Sequence, residues 1–131
     1  MSTEPTLINA PHLSGVLEEL RQREPLFHRP ELGATRRDFE NMTDATFWEV
    51  GASGRRYGRE FILETLESRF PQAEADRWAI HDFHCTEIAA ENYLVTYTLL
   101  QGPRVTRRST LWRRATTGWK VLYHQGTAVE P

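Results

Sequence analysis

Cysteine is almost absent: Cys85 is the only one in 131 residues. No disulfide can therefore close within the chain, and no cysteine pair stands at metal-ligating spacing. Long apolar runs are missing as well. Nothing approaches the ~20 consecutive apolar residues of a spanning helix, so no membrane segment is expected. The opening MSTEPTLINAPH lacks the basic start and apolar core of an export signal, and a reducing cytoplasm is the expected compartment. Excess basic charge is missing too: 16 Lys and Arg stand against 18 Asp and Glu, a formal net charge of −2. That argues against broad electrostatic binding to nucleic acid. No repeat, linker or low-complexity tract divides the chain. A single domain is expected over residues 11–131, behind a loose polar N-terminus of residues 1–10.

Bulky core material is plentiful, with four Trp, four Tyr and six Phe. Leu13, Val16, Leu17 and Leu20 fall at helical spacing and predict a helix from Pro11 to Glu24, ended by Pro25. TRRDFENM predicts a short second helix, capped by Thr35 with Asp38 three residues on. ATFWEVGASG reads as a strand and a turn. GREFILETLESRF reads as a third helix, with Ile62, Leu66 and Phe70 on one face and Pro71 beyond its end. Four strands follow: RWAIHDFHCTEIA, NYLVTYTLL, RVTRRSTLWRR and GWKVLYHQGT, separated by AEN, QGP and ATTG. Helices first and a meander of strands afterwards is the α+β pattern.

Strand parity then assigns faces. Two-residue turns at Gly102-Pro103 and Thr116-Thr117 pair Tyr97 with Arg108, Val95 with Thr110, Tyr93 with Trp112 and Trp112 with Val121. They also pair Thr110 with Tyr123 and Arg108 with Gln125. One face thus carries Tyr97, Arg108, Thr110, Trp112, Trp119, Tyr123 and Gln125, and should meet the helices. The other carries leucines mixed with Arg107, Ser109, Arg113 and His124, and suits a second subunit better than open water. A buried Arg108 requires a carboxylate, for which Glu24, Glu49 and Asp82 are candidates, Glu24 foremost.

FWEVGASGRRYGRE together with STLWRRATTGWKVLYHQGT resembles the nuclear transport factor 2-like superfamily, over about residues 13 to 127. The branch most similar is that of SnoaL-like proteins and domain of unknown function 4440. The resemblance implies a cone-shaped roll, cystatin-like in outline. A curved antiparallel sheet wraps the N-terminal helices, leaving a pocket between helices and sheet and a dimer contact on the outer face. Superfamily members include isomerases, dehydratases, cyclases, binding domains and oligomerisation hubs, so the fold does not name a reaction. Gln125 stands where many relatives end in histidine, which removes a titratable group from the implied pocket.

Other constellations are weaker. In HDFH, His81 and His84 should point to opposite faces and only Asp82 and His84 should share one, too few ligands for a metal. The arginines near Trp112 and Trp119 scatter over two faces rather than forming a nucleic-acid surface. His28, in LFHRPELG, falls near the mouth of the implied cone or simply closes a helix. The expectation is a homodimeric domain that binds a small, partly apolar ligand bearing an acceptor or anionic group, without cofactor or metal. Arg108, Gln125, Tyr97, Tyr123, Trp112, Trp119, Thr110, Glu49 and His84 are the expected lining. The alternatives are a cofactor-independent isomerase or dehydratase-type enzyme, which would need an ionisable group beside the ligand, and a purely structural oligomerisation module.

Overall fold

Proline sets the first boundary. In the computed structural model, which describes residues 2–69 and 77–130, a 3-10 turn at Pro11–Leu13 leads into helix α1, Ser14–Arg21. The helix stops three residues short of the expected Glu24. The residue before a proline is driven out of the helical region, and the turn through Gln22 and Arg23 carries Glu24 into the interior, where it is fully buried. Helix α2, Arg36–Met42, begins at the expected cap: Thr35 Oγ1 accepts from the Asp38 amide, and the Asp38 carboxylate accepts from the Thr35 amide. These bonds hold the Asp38 carboxyl below its ordinary value.

Strand β1, Thr43–Val50, and the short β2, Arg56–Gly58, precede helix α3, Arg59–Arg69. The brief β2 was not anticipated; its Arg56 and Tyr57 pair with Val50 and Glu49 across the glycine-marked turn. Helix α3 buries Ile62, Leu63 and Leu66. Phe70 and Pro71, expected at its end, lie outside the described residues. Strands β3 (Ala79–Ala89), β4 (Asn92–Gln101), β5 (Arg104–Ala115) and β6 (Gly118–Ala128) complete one six-stranded sheet of order β2-β1-β6-β5-β4-β3. Only β1 and β6 run parallel; the other neighbours are antiparallel. The helices cover one face, where Phe39, Phe47, Leu63, Val95, Leu99 and Val121 are almost fully buried. Among the described residues no helix is long and apolar enough to cross a membrane.

The hairpin turns are the expected two-residue ones, closing Gln101 on Arg104 and Ala115 on Gly118. Tyr97 pairs with Arg108, Val95 with Thr110 and Tyr93 with Trp112, as parity predicts. The register breaks inside β6. Trp112 pairs with Val121, but Leu111 pairs with Tyr123, leaving Leu122 as an extra residue. A bulge of this kind turns every later side chain to the opposite face. Thr110 consequently meets His124 rather than Tyr123, and Arg108 meets Gly126 rather than Gln125. A second irregularity lies in β3, where His81 pairs with Thr98 and His84 with Thr96. Asp82, at φ 56, takes up the additional residue. His81 and His84 therefore share the outer face, contrary to the plain alternation.

Residues 2–10 form no regular element, yet they are tied to the sheet. Asn9 Nδ2 donates to Phe83 O at 3.0 Å, and its Oδ1 accepts from Cys85 N at 2.9 Å. The side-chain amide thus stands in for a neighbouring strand at the free edge of β3, an edge that would otherwise invite pairing with other chains. Asn9→Ala is expected to cost about 1–2 kcal/mol for the two lost bonds. Faster hydrogen exchange at the Cys85 amide, with little change at Val95, is the measurement that checks it.

Candidate functional site

The inner face of the sheet grades from aromatic to charged. At one end Trp119 meets Tyr93 edge-on at 5.5 Å and Trp112 at 6.4 Å. Beside Trp112 lies a cavity of about 10 Å³, bordered by Leu26, Phe27, Phe39 and Met42, room for about one water. In the middle sits Glu24. Its carboxylate accepts from Tyr97 Oη at 2.7 Å and from Trp112 Nε1 at 3.1 Å, and from the Thr110 hydroxyl and the Leu26 amide. Burial raises the Glu24 pKa, and these four donors oppose the rise. The same burial, with the Glu24 charge beside it, pushes the Tyr97 phenol well up.

His124 links this carboxylate to Arg108. Its Nδ1 lies 2.8 Å from Thr110 Oγ1, and its Nε2 lies 3.4 Å from Arg108 Nη1. A guanidinium only donates, so Nε2 is the accepting nitrogen and Nδ1 carries the proton. The polarity then runs one way. Arg108 donates to His124, His124 to Thr110, and Thr110 to Glu24. Burial lowers the His124 pKa to about 3, assisted by the charges of Arg108 and His28, so the imidazole is neutral near pH 7. Arg108 also gives Nε to Thr106 Oγ1 at 2.9 Å.

Gly126 explains the attitude of Arg108. A methyl group at Gly126 would stand 3.3 Å from Arg108 Nε and 3.5 Å from Cζ, so the guanidinium lies across bare backbone. Burial pushes Arg108 below its ordinary pKa and Arg104 adds to the push, while Tyr97, Glu24 and Glu49 oppose it. Glu49 pairs with His124 across β1 and β6, which puts it on this inner face. The expected Glu24–Arg108 partnership therefore exists as a relay: Glu24 is bound through Thr110 and His124, and Arg108 feels its charge.

Of the expected lining, Arg108, Tyr97, Thr110, Trp112, Trp119 and Glu49 come together on the inner face. Tyr123, Gln125 and His84 do not. Tyr123 and Gln125 are turned outward by the Leu122 bulge, where Tyr123 Oη donates to Gln125 Oε1 at 2.7 Å and Trp48 packs on Tyr123 at 4.8 Å. His84 is turned outward beside Thr96, its Nε2 3.2 Å from Ile8 O. The expected loss of a titratable group at the end of β6 is overturned, because His124 occupies the inward place that Gln125 vacates. Parity alone missed His124; it puts Thr106 on the inner face, where Thr106 is indeed buried, but not among the expected lining. Gly126 was the available clue, since a glycine inside a strand often marks the close approach of another group.

The basic-aromatic stretch of β5 and β6 is largely paired within the chain. Arg107 meets Glu4, Arg113 meets Asp44, and Arg114 meets Glu19 and caps the Trp119 ring at 4.8 Å. Burial and the Glu87 charge raise the Cys85 thiol to about 11, which leaves little thiolate for nucleophilic chemistry. Among the described residues no group of three His, Cys, Asp or Glu is placed to hold a metal.

No family model matches the chain, and no curated protein does. Solved structures do. A nuclear transport factor 2-like protein from Cytophaga hutchinsonii superposes with a TM-score of 0.68 at 14% identity, covering 92% of this chain and 100% of its own. A protein from Streptomyces avermitilis, named as a candidate dehydratase of the nuclear transport factor 2-like family, gives 0.69 at 18%, covering 89% and 98%. One from Exiguobacterium sibiricum, named as a candidate calcium/calmodulin-dependent kinase II association domain, gives 0.59 at 19%, covering 99% of each chain. At these identities the likeness establishes the fold: this chain is a nuclear transport factor 2-like, cystatin-like α+β roll.

Proposed function

We propose that the chain binds a small, partly apolar molecule carrying a carboxylate or similar oxyanion at the Arg108–His124 end of its inner face. The observation that carries this reading is the half-buried Arg108, laid flat on Gly126 at the end of a one-way donor chain. Arg104 adds positive charge nearby, and Phe27 and Phe47 stand edge-on at 5.9 Å on the aromatic side of the core. A binder is favoured over an enzyme because the obvious acid–base group, Glu24, is fully buried and already receives four donors. The neutral His124 likewise has both nitrogens engaged.

Self-association is a second part of the proposal. Leu94, Leu111, Tyr123 and Trp48 form one cross-strand row on the outer face, and Trp48 is 42% exposed. A row of this kind suits a second copy.

Titration by NMR with benzoate and, in parallel, benzamide tests the ligand class. Benzoate should perturb Arg108 and Gly126 while benzamide does not. Arg108→Gln should weaken benzoate binding at least about tenfold, the loss of a charge-assisted pair. Gly126→Ala should weaken it less, by displacing the guanidinium a few tenths of an ångström. Equal binding of benzamide, or indifference to Arg108→Gln, would remove the oxyanion reading.

A further inference from the structure

The opposite face of the sheet carries a second polar constellation that the inner site does not use. A groove of about 620 Å³ lies there, with Glu4, Pro5 and Leu7 of the N-terminal arm on one side and Thr96, Thr98 and Arg107 on the other. Two cross-strand rows build its floor. His84, Thr96 and Ser109 form one, and Thr98 and Arg107 the next. Their strand neighbours Val95, Tyr97 and Thr106 are buried on the inner face, so these side chains face outward. Arg107 Nη1 donates to Thr98 Oγ1, and Nη2 donates to Glu4 Oε1 at 3.0 Å.

The chain's own arm is held in this groove by few contacts. The Arg107 and Glu4 side chains are 47% and 66% exposed, and pairs so exposed contribute about 0–1 kcal/mol. His84 Nε2 donates to the main-chain carbonyl of Ile8, and Asn9 clamps the β3 edge. Leu7 and Ile8 remain 50% and 79% exposed, so little apolar burial adds to these bonds. What the groove reads in its own arm is peptide chemistry: one carboxylate side chain on Arg107 and, four residues on, one main-chain carbonyl on His84. Thr96 and Thr98 on β4, with Arg107 and Ser109 on β5, repeat polar groups at two-residue spacing. That is the spacing at which an extended segment presents side chains to one side.

We propose that this groove is a recognition site for an extended acidic peptide segment, with residues 2–9 acting as a tethered competitor. A short tether gives an effective concentration in the millimolar range, so a free peptide competes poorly until the Glu4–Arg107 contact is broken. Tyr97 and Arg108 of the inner site also border this groove, so the test is read at Arg107 and Glu4, which the inner site does not use.

The test uses the full chain and a fluorescent synthetic peptide copying residues 2–9, read by fluorescence polarisation. Glu4→Gln should bind the peptide up to about fivefold more tightly than the wild-type chain, because the tethered competitor is weakened by the loss of an exposed pair. Combining Glu4→Gln with Arg107→Gln should abolish that gain. A peptide with glutamine in place of its glutamate should bind the Glu4→Gln chain more weakly by a similar factor, which tests the same pair without altering the sheet. Succinate should displace the peptide only at far higher concentration than unlabelled peptide does. No binding to the Glu4→Gln chain, or binding indifferent to Arg107 or to the peptide carboxylate, would overturn the proposal. Displacement by succinate as readily as by unlabelled peptide would also overturn it, by showing that the groove reads a bare carboxylate.

Discussion

Lowering the pH from 6.5 to 4.5 should remove about 2–3 kcal/mol from the contribution of His124 to stability. The sign follows from the direction of the shift. The folded pKa of His124 is depressed to about 3, so the unfolded chain binds the proton more readily. The stabilisation is intact above the unfolded value near 6.5 and is lost as pH falls toward 3. Glu24 acts in the opposite sense. Its folded pKa is raised, so its contribution is greatest below its unfolded value and declines as pH rises through its folded one. Asp44, held near 2 chiefly by Thr46, loses its contribution below the range in question. Urea unfolding at several pH values separates these effects when the wild-type chain is compared with His124→Asn. The variant keeps a donor for Thr110 but cannot titrate, so it should be less stable near pH 7 and show a flatter acid slope. An unchanged slope would mean that His124 is not the buried group.

Glu24→Ala should be the most damaging single substitution in the polar core. It removes the common acceptor of Tyr97, Trp112, Thr110 and the Leu26 amide. Each buried donor left without a partner costs about 1–3 kcal/mol, so a loss above about 3 kcal/mol is expected even if some of them find new acceptors. Tyr97→Phe removes only one of those donors and keeps the ring stacked on Phe83 at 5.6 Å, so about 1 kcal/mol is expected. Glu24→Gln should fall between, because it keeps one acceptor oxygen but turns an amide toward groups that donate. Chemical denaturation of the three variants orders them. A Glu24→Ala chain as stable as Tyr97→Phe would mean that the four donors are satisfied elsewhere.

The α+β class, the capping box at Thr35 and Asp38 and the two-residue hairpin turns were all legible in the residues. Each depends on local chemistry: a capping pair, a glycine-bearing turn, an alternation of apolar side chains. The pairing of β4 with β5 was legible for the same reason, since a regular turn propagates a regular register. The bulge at Leu122 was not. Neither glycine nor proline marks it, and Trp119, Val121 and Tyr123 continue an unbroken alternation that favours the wrong register. Only the tertiary fit decides it: Gly126 beneath the Arg108 guanidinium, and His124 between Thr110 and Arg108. The outward turn of His84 has a similar origin in the bulge at Asp82. The end of α1 shows the same limit, because Glu24 leaves the helix to meet Tyr97 and Trp112, which lie more than 70 residues further along the chain.

The inward, neutral His124 joins Arg108 to the buried carboxylate, and both the ligand reading and the acid sensitivity rest on it. Nitrogen NMR of the imidazole rings, with His124 assigned by its loss in His124→Asn, tests it most directly. The expected spectrum has Nδ1 protonated and Nε2 bare, unchanged between pH 8 and pH 4.5. A ring that titrates near pH 6.5, as an outward histidine on an unbulged β6 would, contradicts the arrangement and with it the site built on Arg108.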